Sequence, residues 1–225
     1  MRHNPQFEVT DARVVRALIR DNPWATLVSH TGEGIVASHY PVLLDEDGDE
    51  LAVLTHVGRP DDQVHRFGDR ELLVIIAGPH GYISPSWYVQ PAPAVPTWNF
   101  SVAHCYGIPR VLEPQENLRV LARLVDHFER HVDSPLALDR EDGGALAART
   151  VGIRVPITRF VCKVKMSQNK DRQTQLQVLD ALRRPGPYGN PGLADQMQRA
   201  LGDDRGGHQP AARHKPPGGP GRPSS

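Results

Sequence analysis

The chain is poor in the features that most quickly betray a function. Its 225 residues include two cysteines, three methionines and three tryptophans, and aromatics make up only 6%. Cys105 and Cys162 cannot build a disulfide framework, which points to a reducing compartment, and each reads as a small core residue. No apolar run approaches the ~18 residues of a membrane span. The opening Met-Arg-His-Asn-Pro-Gln lacks the apolar stretch of a secretory signal. A cytoplasmic protein without membrane association is expected. Net charge is missing as well, with 26 Lys and Arg against 26 Asp and Glu. A protein that neutralises many phosphates usually carries a basic excess or stripe, so charge does not support strong DNA binding by a monomer.

Standard catalytic signatures are absent too. Gly32 and Gly34 are followed by neither a third glycine nor a helix, as a dinucleotide fingerprint requires. Gly78-Pro79-His80-Gly81 lacks the Gly-Lys-Ser/Thr of a P-loop. Ser84 and Ser86 lie outside any Gly-x-Ser-x-Gly elbow. His127 and His131 have the i, i+4 spacing of zinc ligands, but Phe128 stands where a metalloprotease needs glutamate. They read as a solvated helix face. No metal site is assigned, and no residue is singled out as catalytic.

What the chain does have is proline and glycine, 21 and 20 residues. They crowd the end: Gly202 to Ser225 holds six Gly and five Pro, with no Leu, Ile, Val or aromatic. That stretch cannot bury enough apolar surface to offset its ordering entropy, so residues 203–225 are expected to be a disordered tail. The rest, with hydrophobic residues at 39% of the whole chain, suits one large domain.

Periodicity predicts a helix over Asp11 to Asp21, capped by Thr10, with Val14, Ala17, Leu18 and Asp21 on one face. Extended runs follow at Ala25–His30 and Ile35–Leu44, joined by a Gly-rich turn, then at Leu51–His56. Pro60 with Asp61 and Asp62 has the chemistry of a helix first turn, and that short helix runs to Phe67. Leu72–Ala77 is a strand, His80–Pro96 a loop, and Thr97–Leu112 a long extended run. Pro114 opens a helix to about Val132, with Leu118, Leu121, Leu124, Val125 and Phe128 at helical spacing. Ser134–Gly144 reads as a loop and Val151–Met166 as extended. A helix bearing Leu176, Leu179 and Leu182 ends at Pro185, and Leu193–Leu201 suits a further short one. Consecutive antiparallel strands with few intervening helices argue an α+β barrel rather than a βαβ sheet.

Polar and aromatic residues cluster within these apolar strands. The clusters are Leu-Thr-His (54–56) with Arg59, Tyr-Ile-Ser-Pro-Ser-Trp-Tyr (82–88), Val-Pro-Thr-Trp-Asn-Phe (95–100) and Lys-Val-Lys-Met-Ser-Gln-Asn (163–169). Flat apolar walls, amide and hydroxyl partners and cations suit a planar heterocycle bearing a phosphate. Core-filling aromatics with surface cations would have the same composition. On the residues alone both readings stand.

The phrases Asn-Pro-Trp-Ala-Thr-Leu-Val-Ser (22–29), Ala-Ser-His-Tyr-Pro-Val-Leu-Leu (37–44), Gly-Pro-His-Gly-Tyr-Ile-Ser-Pro-Ser-Trp-Tyr (78–88), Val-Pro-Thr-Trp-Asn-Phe (95–100) and Lys-Met-Ser-Gln-Asn (165–169) resemble the PaiB-type family of FMN-binding negative transcriptional regulators. The match runs in order from about Pro5 to Leu182. The resemblance implies an antiparallel split β-barrel of the FMN-binding type, with peripheral helices, over residues 1–184. Residues 185–202 would then be a C-terminal extension. It further implies a homodimer holding FMN in a cleft shared between subunits. His56-Val57-Gly58-Arg59 resembles the family's His-x-Ala-Arg element, which makes Arg59 the phosphate candidate beside His56. Ser84, Trp87 and Tyr88, then Thr97, Trp98 and Asn99, and finally Lys163, Lys165, Ser167, Gln168 and Asn169 match its other cofactor-site elements. Three departures stand out, one being that the tail after Leu201 matches no element of the family. Asp61 and Asp62 follow Arg59 where the family usually continues Ala-Asn-Pro, and would repel a phosphate unless they point away. Residues 89–94 lack the lysine that usually follows the position of Tyr88. The implied function is a flavin-linked regulator. A flavin-dependent oxidoreductase or a cofactor-free dimeric interaction module are the alternatives, and DNA enters through the family's label alone.

Overall fold

The computed structural model describes residues 1, 4–89, 95–138 and 140–203. The chain runs through β1 (Glu8–Val9), α1 (Ala12–Asp21), β2 (Trp24–Thr31), β3 (Gly34–Leu44), β4 (Ala52–Gly58), α2 (Asp61–His65) and β5 (Leu72–Ile83). It continues with β6 (Thr97–Gly107), β7 (Arg110–Val111), α3 (Pro114–Glu129), α4 (Arg140–Ala148), β8 (Thr150–Pro156), β9 (Arg159–Lys165), α5 (Arg172–Arg183) and α6 (Pro191–Asp203). The nine strands form one antiparallel sheet in the order β1-β9-β6-β5-β2-β3-β4-β8-β7. The expected tail at 203–225 lies almost wholly outside the described residues.

Two features fold this sheet over on itself. β3 changes partner midway, pairing with β2 through Pro41 and with β4 from Val42 to Leu44. Proline brings no ladder donor, which suits the switch point. At the far side the chain crosses from β8 to β9 at Pro156–Thr158. Ile157 N–H donates to Leu51 O (2.8 Å) and Thr158 N–H to Tyr106 O (2.9 Å). There β6 ends at Gly107, where a Cβ would collide with the Pro156 carbonyl. Only glycine lets the backbones approach so closely.

The enclosed core takes Val15, Leu18 and Ile19 from α1 and the inward alternates of the strands, among them Leu27, Val53, Val74, Ile76, Ala103 and Ile153. Cys105 and Cys162 are fully buried within it, and burial pushes their thiols up to about 12 and about 11. Thiolate chemistry is thereby suppressed. A second cluster under α3 joins Val120 and Leu124 to Leu43, Leu54 and Leu112. A third unites α5 and α6 with Ile83, Tyr88 and Met166. The outward alternates of the central strands, including Val28, Leu73, Ile75, Val102, His104 and Val161, are half-buried. Trp24 and Ile35 on the same face are exposed.

Several local readings are corrected. Asp11, not Thr10, caps α1, its side chain accepting from Arg13 N–H at 2.8 Å. The buried face of α1 is Val15, Leu18 and Ile19, while Val14 is exposed. The register slips by one because contact with the core, rather than the count of apolar residues, selects the inward stripe. β5 does not stop at Ala77: a bulge between Ala77 and His80 lets pairing with β6 resume through Ile83. The extended run after Thr97 breaks at Ile108–Pro109, and the expected loop at 134–144 is entered by α4. On α5, Leu176 is exposed and Val178 takes its place in the core. The helix expected at Leu193–Leu201 is α6, whose Leu193, Ala194 and Met197 are fully buried.

Candidate functional site

The proposed cofactor residues fall into two groups. His56 and Arg59 sit at the end of β4, where His56 pairs across the ladder with Gly152. The Nδ1 atom of His56 is buried and has no partner, and burial lowers the imidazole's pKa from its ordinary value. Arg59 is tied through its backbone N–H to Arg149 O at 3.0 Å. Its half-exposed guanidinium donates to Asp62 Oδ2 at 3.2 Å.

The second group surrounds the start of β6, the end of β9 and the α5–α6 pair. Ser84 starts a one-turn 3-10 helix, Pro85–Trp87, by accepting from Ser86 N–H. Tyr82 stands edge-on to both Trp87 and Trp98, its ring 6.4 Å from each, and Tyr188 from the α5–α6 connection lies 5.1 Å from Tyr82. Trp98 remains 53% exposed, so one wall of this aromatic group is open. Lys165 donates to Thr97 Oγ1, and partial burial lowers its pKa, with Lys170 adding to the effect. Lys163 is buried, opposite Glu8 in β1 and Val102 in β6. Asn169 is exposed.

Three polar members already have partners inside the protein. Asn99 is fully buried and donates to Ser167 Oγ at 2.9 Å. Ser167 takes a left-handed φ of 60°, and its carbonyl accepts from Gln175. Gln168 accepts from Met166 N–H and donates to Val164 O, both at 2.6 Å. These bonds fix the corner between β9 and α5. Tyr88 likewise packs into the α5–α6 cluster, with Lys170 Nζ 4.7 Å from its ring centre. Within one chain the two groups stay apart in the sheet, with β3, β2 and β5 between β4 and β6.

Around Arg59 the structure adds residues that the sequence reading did not assign. Asp61 Oδ2 accepts from Ser38 (2.8 Å) and from the Tyr40 hydroxyl (2.7 Å), and Gly58 N–H donates to that same hydroxyl (3.2 Å). Asp61 therefore clips the turn carrying Arg59 and points away from it. These bonds hold its carboxyl below the usual range. His65 extends the chain, with Nε2 3.0 Å from Ser38 Oγ and Nδ1 2.8 Å from Ser29 Oγ. Because Ser38 spends its only hydrogen on Asp61, it must accept from His65. The proton therefore sits on Nε2, and Ser29 donates to Nδ1. The available signal was Ser29 and Ser38 at inward positions of otherwise apolar strands.

Burial lowers the pKa of His65, partly opposed by Asp61. Between that lowered pKa and about 6.5 the unfolded chain binds a proton that the folded chain refuses, so stability falls as pH drops through this window. Melting temperature is expected to decline from pH 7.5 to 5.5, with a shallower decline in His65→Gln. Equal slopes would remove His65 from this account. Asp61 works in the opposite range, where its contribution is lost only as pH falls below about 4.

Residues 1–159 match the family described as "Putative FMN-binding domain". The Bacillus subtilis (strain 168) protein named Protease synthase and sporulation protein PAI 2 is 28% identical over 199 residues, spanning 87% of this chain and 95% of its own. Among solved structures, the FAD and Heme binding protein from Mycobacterium smegmatis aligns with a TM-score of 0.57 and 16% identity, over 75% of this chain and 78% of its own. The Flavocytochrome Anf3 from Azotobacter vinelandii aligns with a TM-score of 0.60 and 12% identity, over 78% of each. At such identities the likeness shows the fold alone: an antiparallel split barrel with peripheral helices.

Proposed function

The chain belongs to this FMN-binding domain family, and from that premise we propose that it binds FMN and works as a flavin-linked sensor of the PaiB type. The observation that carries the reading is the family match over residues 1–159, which contains both Arg59 and Trp98. Arg59, with Lys165 or Lys163, meets the phosphate. Trp98 and its aromatic neighbours supply an apolar wall, and His56 brings a buried, unpartnered ring nitrogen. When bound, the flavin supplies redox chemistry, and the protein supplies orientation and hydrogen bonds.

The separation of the two residue groups supports a homodimer in which one protomer contributes Arg59 and its partner the Trp98 wall. The half-buried apolar face of β2, β5, β6 and β9 suits burial against a second copy. The resemblance of the signature phrases to the PaiB-type family supports a regulatory role. With net charge zero, that regulation runs through a ligand or a partner rather than through a strong grip on DNA. No helix among the described residues is long and apolar enough to cross a membrane.

The test is a titration of flavin-free protein with FMN and riboflavin, followed by flavin fluorescence, with light scattering to establish a dimer. FMN is expected to bind more tightly than riboflavin. Trp98→Ala should weaken both alike, since the ring contacts what the two ligands share. Binding of neither flavin would overturn the proposal.

A further inference from the structure

Arg59 already has an anion beside it. Its Nη1 donates to Asp62 Oδ2 at 3.2 Å, and the Asp62 side chain is only 16% exposed against 52% for Arg59. The second carboxylate oxygen, Oδ1, is buried without a partner. Such an atom usually finds a hydrogen-bond donor, so Asp62 sits in a position its own bonding does not account for.

Arg59, Asp62 and Arg66 together line a cavity of about 340 Å³, which α3 and β8 close with Asn117 and Thr150. Arg66 reaches its rim from the end of α2, where it takes a left-handed φ of 52°. Its guanidinium is 60% exposed and lies 3.6 Å from Glu33. Of the two carboxylates that follow Arg59, Asp61 is turned to Ser38 and Tyr40. Only Asp62 faces the arginine.

We propose that Asp62 is an internal competitor for the anion site at Arg59. Without ligand it holds the guanidinium in an ion pair, and an incoming phosphate monoester must displace it. The exchange favours a dianion over a monoanion, because a phosphate near −2 attracts Arg59 and Arg66 more strongly than the single charge it replaces. Asp62 thus lowers the affinity for the ligand, while the preference for a dianion comes from the two arginines. This inference rests on the reading of Arg59 as the phosphate residue.

Asp62→Asn keeps the shape of the side chain and removes the competing charge. It is expected to tighten FMN binding by ~2- to 5-fold at low salt, the scale of a surface ion pair, with riboflavin binding unchanged. The gain should shrink in high salt. Added to Arg59→Ala, the same substitution should give no gain. If Arg59→Ala weakens FMN binding but Asp62→Asn leaves it equal or weaker, the competitor role is overturned and the phosphate reading stands. If Arg59→Ala leaves FMN affinity unchanged, both fall. A gain that persists without Arg59 also overturns the role. Should Asp62→Asn unfold the protein, Asp62→Ser carries the same comparison, with melting temperature as the control for folding.

Discussion

Replacing Arg59 with alanine is expected to weaken FMN binding by roughly 10- to 100-fold while barely changing riboflavin binding. The phosphate carries a charge near −2 at neutral pH. A charge-assisted hydrogen bond to it is worth about 1.5–3 kcal/mol, and each 1.4 kcal/mol is one decade of affinity. The half-exposed setting of Arg59 and its bond to Asp62 place the effect toward the lower end. Riboflavin has no phosphate to lose, so the ratio of the two affinities isolates this contact from any loss of stability. The competing account makes Arg59 a surface turn residue, whose removal costs under ~0.5 kcal/mol of stability. Parallel titrations of both flavins decide between them. Equal weakening of the two, or of neither, would end the phosphate assignment.

The second large effect concerns stability. Leu193→Ala on α6 is expected to cost about 2–5 kcal/mol, the usual range for a fully buried leucine. Leu193 has no exposed surface and shares its cluster with Ile83, Met166, Leu182 and Met197. The packing is tight: a Cβ at Gly81 would come within 2.9 Å of the Leu193 side chain. At ~2–4 °C per kcal/mol for a domain of this size, melting temperature should fall by roughly 5–15 °C. Since the family match ends at residue 159, the result also measures how far α6 belongs to the cooperative unit. A drop of less than a degree or two would make α6 an appendage. Removal of residues 203–225 is expected, from composition alone, to leave the transition where it was.

Much of this architecture is legible in local chemistry. Pro114 does occupy the first turn of α3, where its missing N–H has no cost, and Glu113 with Glu116 closes a capping box. The turn between Thr31 and Gly34 does join a hairpin. The signature phrases led to the correct family because they occur in the same order over most of the chain. Boundaries and faces fared worse. The bulge after Ala77 places no recognisable demand on composition, so β5 seemed to end six residues early. On α1, Val14 and Val15 are equivalent in a periodic pattern, and only packing against the core distinguishes them.

Alone, the sequence determined the α+β class, the order of the longer elements, the family and the roster of candidate site residues, because these depend on local propensity and on patterns that run along the chain. Tertiary structure decided which candidates already have partners within the chain. Asn99, Ser167 and Gln168 looked like partners for a heterocycle edge, yet their hydrogen bonds close within the protein, since a buried polar group must be satisfied wherever a partner lies nearest. Tyr188 joined the aromatic wall from a loop distant in sequence. The two aspartates after Arg59 are identical as letters. One is folded inward to Ser38 and Tyr40 on β3, a contact between residues far apart in the chain, and the other is left against the arginine three residues before it.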